Sequence, residues 1–153
     1  MTALLAVPPD PMPAQRMRGR LDLRFAAADG RTAATVLAQA PPLESVRAFP
    51  MADGAALVHL HNIAGGVLAG DDLDLSLAVE PQALAQLTTT GANRIYRSRD
   101  GAPARQRTRV AVGAGGMLEY LPGPTIPFAG AACEQTTRID LAAGAGLCWW
   151  EVM

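Results

Sequence analysis

Two histidines, His59 and His61 in the run "ALVHLHNI", have the residue type and spacing of a metal pair. In an extended strand they point to the same side, which suits two imidazoles on one ion. A catalytic centre built on them needs a nearby carboxylate and a further imidazole. Positions 65 and 66 are both glycine, and no histidine follows anywhere in the chain. A closed site would have to draw on Asp, Glu or Cys from elsewhere, so a solvated polar strand face explains the pair better. Glu119, in "GMLEYLPG", has no neighbouring His or Ser with which to form an acid–base pair. Ser45, Ser76 and Ser98 likewise lack the histidine context of a nucleophilic triad.

The stretch "AGGVLAGDDLDLSL", Ala64 to Leu77, raises a second chemistry. Its glycines resemble a phosphate-binding loop, but such loops feed a helix whose N-terminus holds the phosphates. Here Leu73, Leu75, Leu77 and Val79 alternate with Asp72, Asp74, Ser76 and Ala78, the period of a half-buried strand. No Gly-Lys-Ser/Thr follows, and the chain has no lysine, so a nucleotide site is not expected. A third cluster is basic: "NRIYRSRDG" at 93–101, with Arg105, Arg107 and Arg109 beyond it. Single-stranded nucleic acid would want aromatic platforms between the charges, and Tyr96 alone qualifies. A solvated face or the rim of a protein–protein contact is the reading these arginines support. The alternative enzyme reading is a cupin-like, metal-dependent one using His59 and His61, since "GMLEYLPG" also resembles the start of a second cupin motif.

The elements that must position these groups are strands. "RLDLRF" alternates Leu21, Leu23 and Phe25 against charges, and Asp29-Gly30 supplies a hairpin turn. "RTAATVL", "PLESVRAF", a second Asp-Gly at 53–54, "ALVHLHNI", "DLDLSLAV", "ALAQLTTT", "RQRTRVAV", "MLEYL", "EQTTRIDL" and "LCWWEVM" complete an all-β series. Residues 1–18 carry four prolines and read as a flexible lead-in to one domain over 19–153. The segments beginning at Val79, Val112 and Leu141 share one layout, at offsets of 33 and 29 residues. Each has a strand end, a turn of small residues and an apolar strand start. That spacing fits a β-helix-like stack or a layered β-sandwich. The core must come from Leu, Val, Ile and Ala, because aromatic residues are only 5% of the chain. A formal charge of −1 gives no pull toward nucleic acid or anionic membranes. No apolar run approaches the ~18 residues of a membrane helix. The N-terminus lacks the positive region of a signal peptide, and two cysteines make no disulfide framework. A soluble, cytosolic protein is expected.

Four blocks taken in order carry a resemblance. "NIAGGVLAGDDLDLSL", "LTTTGANRIYRS", "LEYLPGPTIPFAGA" and "WWEVM" resemble the signature blocks of the urease accessory protein UreD (UreH) family. "GRLDLRF" is similar to that family's opening strands. The resemblance implies a non-enzymatic, cytoplasmic role in urease maturation. In that role a scaffold chaperone, with UreF and the GTPase UreG as partners, delivers nickel to the urease apoprotein. It also implies a β-helix-like fold, no tightly bound cofactor, and nickel held at most transiently. The matched positions that become structural or partner-binding candidates are Gly65, Gly66, Gly70, Asp71, Thr88, Thr89 and Gly91, then Arg94, Tyr96, Arg97, Ser98, Glu119 and Pro122. Gly65, Gly66 and Gly70 are expected to permit a tight turn against a neighbouring coil, with Asp71 capping or orienting it. Ile63 and Thr90 stand where prolines are frequent. Pro127 falls inside a would-be strand, where only an edge or bulge tolerates it, and Ala129 replaces a usual Asp or Asn. The family continues well past "WWEVM", so this chain reads as its N-terminal portion, truncated, with an open strand edge prone to self-association.

Overall fold

The computed structural model describes residues 16–153. The lead-in expected over 1–18 lies outside the described residues as far as position 15, and Arg18 already opens the first strand. Strands β1 (Arg18–Ala28) and β2 (Arg31–Ala40) form a hairpin over Asp29-Gly30. Both turn residues have positive φ, 51° and 72°, the type I′ geometry that matches the twist of paired strands. The stretch that reads as one strand, "PLESVRAF", is two: β3 (Leu43–Glu44) and β4 (Ala48–Pro50). Between them Ser45 donates its N–H to the Gln39 side-chain oxygen at 2.9 Å, a bond made to a side chain instead of to a strand ladder.

From there the chain winds in coils. β5 (Ala56–Asn62), β7 (Leu84–Thr89), β10 (Met117–Leu121) and β13 (Gly146–Trp149) stack in parallel as one face. β1, β6 (Asp72–Val79), β9 (Ala104–Val112) and β12 (Cys133–Leu141) stack in parallel as a second. β8 (Asn93–Ile95) and β11 (Thr125–Pro127) make a short third face, which Val67 joins by a bridge to Ile95. Val79 sits beside Val112, and Val112 beside Leu141, so the sequence repeat is the coil repeat. At each corner between the second and first faces a four-residue turn closes: Glu80–Ala83, Gly113–Gly116 and Ala142–Ala145. Their third residues, Gln82, Gly115 and Gly144, take φ of 62°, 66° and 74°, as a type II turn requires. Parallel strands joined in this way define a β-helix-like stack and not a layered sandwich.

Alternation decides what is inside. Leu21, Leu23 and Phe25 of β1 and Leu73, Leu75, Leu77 and Val79 of β6 face a core closed by Leu87 and Leu118. The opposite parity carries charge. Arg107 of β9 grips Asp74 of β6 with two bonds, of 2.9 and 2.8 Å, and reaches Asp72 at 2.6 Å. The hydrogen bond from Arg107 holds the Asp74 carboxyl below its ordinary pKa, against an opposing effect of partial burial. The sign follows from a depressed folded value: the ionised carboxylate stabilises the fold above the usual carboxylate range and loses that effect as pH falls through it. Asp74→Asn is expected to lower stability near neutral pH only slightly, because the pair is part-exposed. Circular dichroism during acid titration should show the two proteins converging at low pH.

At the far end of the stack no strand among the described residues pairs the outer edges of β12 and β13. Trp149 turns inward onto Tyr120, with ring centroids 4.3 Å apart, while Trp150 is exposed, the division that alternation demands. Cys133 and Cys148 are both free thiols. No helix among the described residues is long and apolar enough to cross a membrane.

Candidate functional site

The glycine loop leads from β5 to β6, and no helix follows it. Asn62 organises its start. Its side-chain oxygen accepts the Ala64 N–H and its amide donates to the Gly66 carbonyl, each at 3.1 Å. Gly65 then takes φ +75°. Gly66 lies so close to the next coil that a Cβ would stand 2.3 Å from the Tyr96 ring and 2.9 Å from the Arg94 carbonyl oxygen. That approach lets the Val67 N–H reach the Arg94 carbonyl at 2.8 Å, and the Tyr96 N–H reach the Val67 carbonyl at 2.9 Å. Gly70, at φ +80°, lies under the Arg16 side chain. Asp71 is only 1% exposed, and its two oxygens accept N–H groups from Met17 at 2.9 Å and Leu68 at 2.8 Å. The carboxylate thus ties the loop to the segment that enters β1.

The candidate residues divide into groups. Arg94, Tyr96, Arg97 and Ser98 lie on or beside the third face, with Tyr96 stacked on Phe128 at 5.3 Å. Ser98 donates its hydroxyl to Asp100 at 3.1 Å. Thr89, Gly91 and Pro122 border the corner between first and third faces. There the Thr89 hydroxyl donates to the Gly91 carbonyl and accepts the Gly123 N–H, both at 2.8 Å. Pro127 ends β11, a strand of the short third face, which is where a proline can be accommodated. His59, His61, Thr88 and Glu119 share the outer side of the first face, away from the loop. His59 packs at 5.4 Å on Phe49, and the Nδ1 of His61 is 3.5 Å from the Thr90 hydroxyl. Thr88 donates to the Leu121 carbonyl at 2.7 Å, and Glu119 accepts from Gln86 at 3.1 Å. Among the described residues no group of three or more His, Cys, Asp or Glu side chains could hold a metal ion. The parallel coils are also not the antiparallel barrel that a cupin-like enzyme needs, and that alternative is set aside.

Inside the stack the second-face strands change character along their length. Val110 and Val112 of β9 enter the apolar core, but Gln106 and Thr108 face a cavity of about 360 Å³. The cavity extends from Asn62 and Gly66 to Glu151 and Val152, at the open end of the stack. Its lining combines a ladder of neutral polar groups with Leu43, Leu60, Leu73 and Leu75, and with Arg94 and Arg107. The Gln106 side-chain oxygen accepts from Asn93 at 3.1 Å and from Gln135 at 2.8 Å. Tyr120 borders it, its hydroxyl pushed up to about 12 by burial and by nearby Glu151. Sequence reading missed Asn62, Asn93 and Gln106. For Gln106 a signal existed, since alternation in "RQRTRVAV" sends Gln106 and Thr108 to the same side as Val110.

These features define an all-β protein of stacked parallel coils, with charged ladders outside and an amide-lined cavity within. Residues 17–153 match the family described as UreD urease accessory protein, and the chain belongs to that family. It is 50% identical over 139 residues to a protein of Herpetosiphon aurantiacus named urease accessory protein UreD, covering 91% of this chain and 48% of that one. Proteins of the same name from Trichormus variabilis and Delftia acidovorans are 40% and 38% identical, over 92% and 100% of this chain and half of each relative. The chain therefore spans about half the length of the curated relatives it matches.

Proposed function

We propose that the chain serves urease maturation as a non-catalytic scaffold in the cytoplasm, helping deliver nickel to the urease apoprotein with UreF and the GTPase UreG. The observation that carries this reading is family membership across nearly all of the described residues. The cavity supports the nickel part of it. Its wall offers amide and hydroxyl oxygens from Asn93, Gln106, Thr108 and Thr125, with Glu151 at the open end, and the guanidinium-bearing Arg94 and Arg107 also border it. Neutral oxygens interact weakly with a hydrated divalent ion and suit its passage better than its capture.

Deleting the gene from a urease-producing host tests the reading. Urease polypeptide should persist but purify with little nickel, as read by elemental analysis. Full metal loading in the deletion strain would sink the proposal. On the isolated protein, His59→Ala combined with His61→Ala is expected to leave folding intact. It should remove at most a weak nickel affinity, in roughly the micromolar class, because two imidazoles lack the further ligands of a tight site. Calorimetry showing tight, stoichiometric nickel that vanishes in the double variant would restore a genuine metal centre on this face.

A further inference from the structure

Six of the thirteen arginines make ion pairs among the described residues; Arg18, Arg31 and Arg47 are not among them, nor are the four near the third face. The six that make ion pairs, Arg20, Arg24, Arg105, Arg107, Arg109 and Arg138, all belong to the second face. There each has a carboxylate on its own or a neighbouring strand, or at the turn that follows β6. Around the third face the pattern reverses. Arg16, Arg94, Arg97 and Arg99 are exposed, and among the described residues none lies in ion-pairing range of a carboxylate. The one carboxylate beside them, Asp100, accepts the Ser98 hydroxyl and the Ala102 N–H at its Oδ1, each at 3.1 Å, and of the four arginines it is Arg16 whose charge acts on it, which leaves Arg94 and Arg97 as the cations of the rim.

Between these charges the coils place an apolar column. Leu68 follows Val67, and Tyr96 follows Ile95, the two residues the bridge joins. Tyr96 in turn stacks on Phe128, with the rings only 12° from parallel. Ile126 stands beside Arg94 in register. Leu68, Ile126 and Phe128 are 47%, 41% and 45% exposed, well above what the inward residues of the same coils show. Exposed apolar groups on three successive coils, Leu68, then Tyr96, then Ile126 with Phe128, rimmed by cations, are the complement of an extended or helical segment with apolar side chains flanked by acids.

We propose that the third face, built on Leu68, Tyr96, Ile126 and Phe128 with Arg94 and Arg97 at its rim, is a docking surface for a protein segment of that chemistry. The apolar side chains of the segment cover the column, and its carboxylates meet the arginines. A protein segment fits better than a nucleic acid strand, because half of the column, Leu68 and Ile126, is aliphatic and offers no ring on which a base could stack. The inference needs neither nickel nor urease, so it stands or falls apart from the maturation reading.

The test uses the whole chain and short fluorescein-labelled peptides read by anisotropy. One peptide alternates Leu and Phe with Asp and Glu; a second replaces its acids by Arg; a third replaces its apolar residues by Ser. Binding by the first alone, weakening as salt rises, is the expected result. Arg94→Glu with Arg97→Glu should weaken it about tenfold or more, and Phe128→Ser by a similar factor, whereas Arg31→Glu at the β1–β2 hairpin should leave it unchanged. All of these side chains are exposed, and unchanged circular dichroism would establish that the variants fold. The proposal is overturned if the acidic peptide fails to bind at the highest concentration tested, if the inverted peptide binds as well, or if the third-face variants have no effect. It is equally overturned if a labelled single-stranded oligonucleotide competes the peptide off, or if the face is already occupied by a second copy, seen as an oligomer that Arg94→Glu with Arg97→Glu dissolves.

Discussion

Asp71→Ala is expected to cost about 3 kcal/mol or more of folding stability, the largest effect of any single substitution at the loop. The carboxylate is buried and accepts two backbone N–H groups, from Met17 and Leu68. A hydrogen bond to a charged group contributes roughly 1.5–3 kcal/mol, and each N–H left unsatisfied in the interior adds its own penalty. Alanine removes both acceptors at once, and the methyl group cannot replace them. Asp71→Asn keeps one oxygen and should lie between wild type and alanine. Urea denaturation decides it: a midpoint for Asp71→Ala within error of wild type would mean that water replaces the carboxylate without loss. The Met17 bond also gives the effect a direction. It joins the loop to the start of β1, so hydrogen exchange should quicken at β1 and the adjoining strand β6 before it does at β12.

Gly66→Val should come next, at roughly 3 kcal/mol, the upper part of the range for forcing extra volume into a packed site. The first new carbon alone would meet the Tyr96 ring and the Arg94 carbonyl oxygen well inside contact distance. The tyrosine is a side chain and can swing away, but the carbonyl is backbone already bound by the Val67 N–H. Relief therefore has to separate two coils at the third face. Gly65→Val makes a useful contrast. It has open space around its Cβ position but a φ of +75°, so its cost is the smaller one of strained backbone. The expected order is Gly66→Val worse than Gly65→Val in both denaturation midpoint and soluble yield. Equal midpoints would show that close approach is not what position 66 protects. GTP binding by the isolated protein, lost on Gly66→Val, would instead revive a nucleotide role for the loop.

Much of this was legible in the residues. Alternation in "RLDLRF" and "DLDLSLAV" assigned inside and outside correctly, since a period of two is a property of the strand and needs no partner. The Asp-Gly pair at 29–30 fixed a hairpin because both positions must adopt positive φ. The offsets of 33 and 29 residues were the coil lengths, because stacked coils repeat the same corner in register. The ordered blocks pointed to the family whose description the chain matches.

Other features lay beyond any local pattern. β8 and β11 are three residues each, too short for a period to register, so the third face is invisible until the coils are stacked. Asp71 was legible as the residue that caps or orients the glycine turn, as its bond from the Leu68 N–H does. That its other oxygen holds the Met17 N–H depends on a contact 54 positions back along the chain. The sequence by itself determined that the chain is all-β, which residues of each long strand turn inward, and where the repeating corners fall, because those follow from bonded geometry and side-chain polarity. Only the tertiary structure decided which coil each glycine touches, that Gln106, Asn93 and Gln135 meet inside, and that Arg94 and Arg97 border an exposed apolar column. Each of those is a distance between residues well separated along the chain, 13 positions for Asn93 and Gln106 and 29 for Gln106 and Gln135, and such distances are set by how coils stack, not by what any one coil contains.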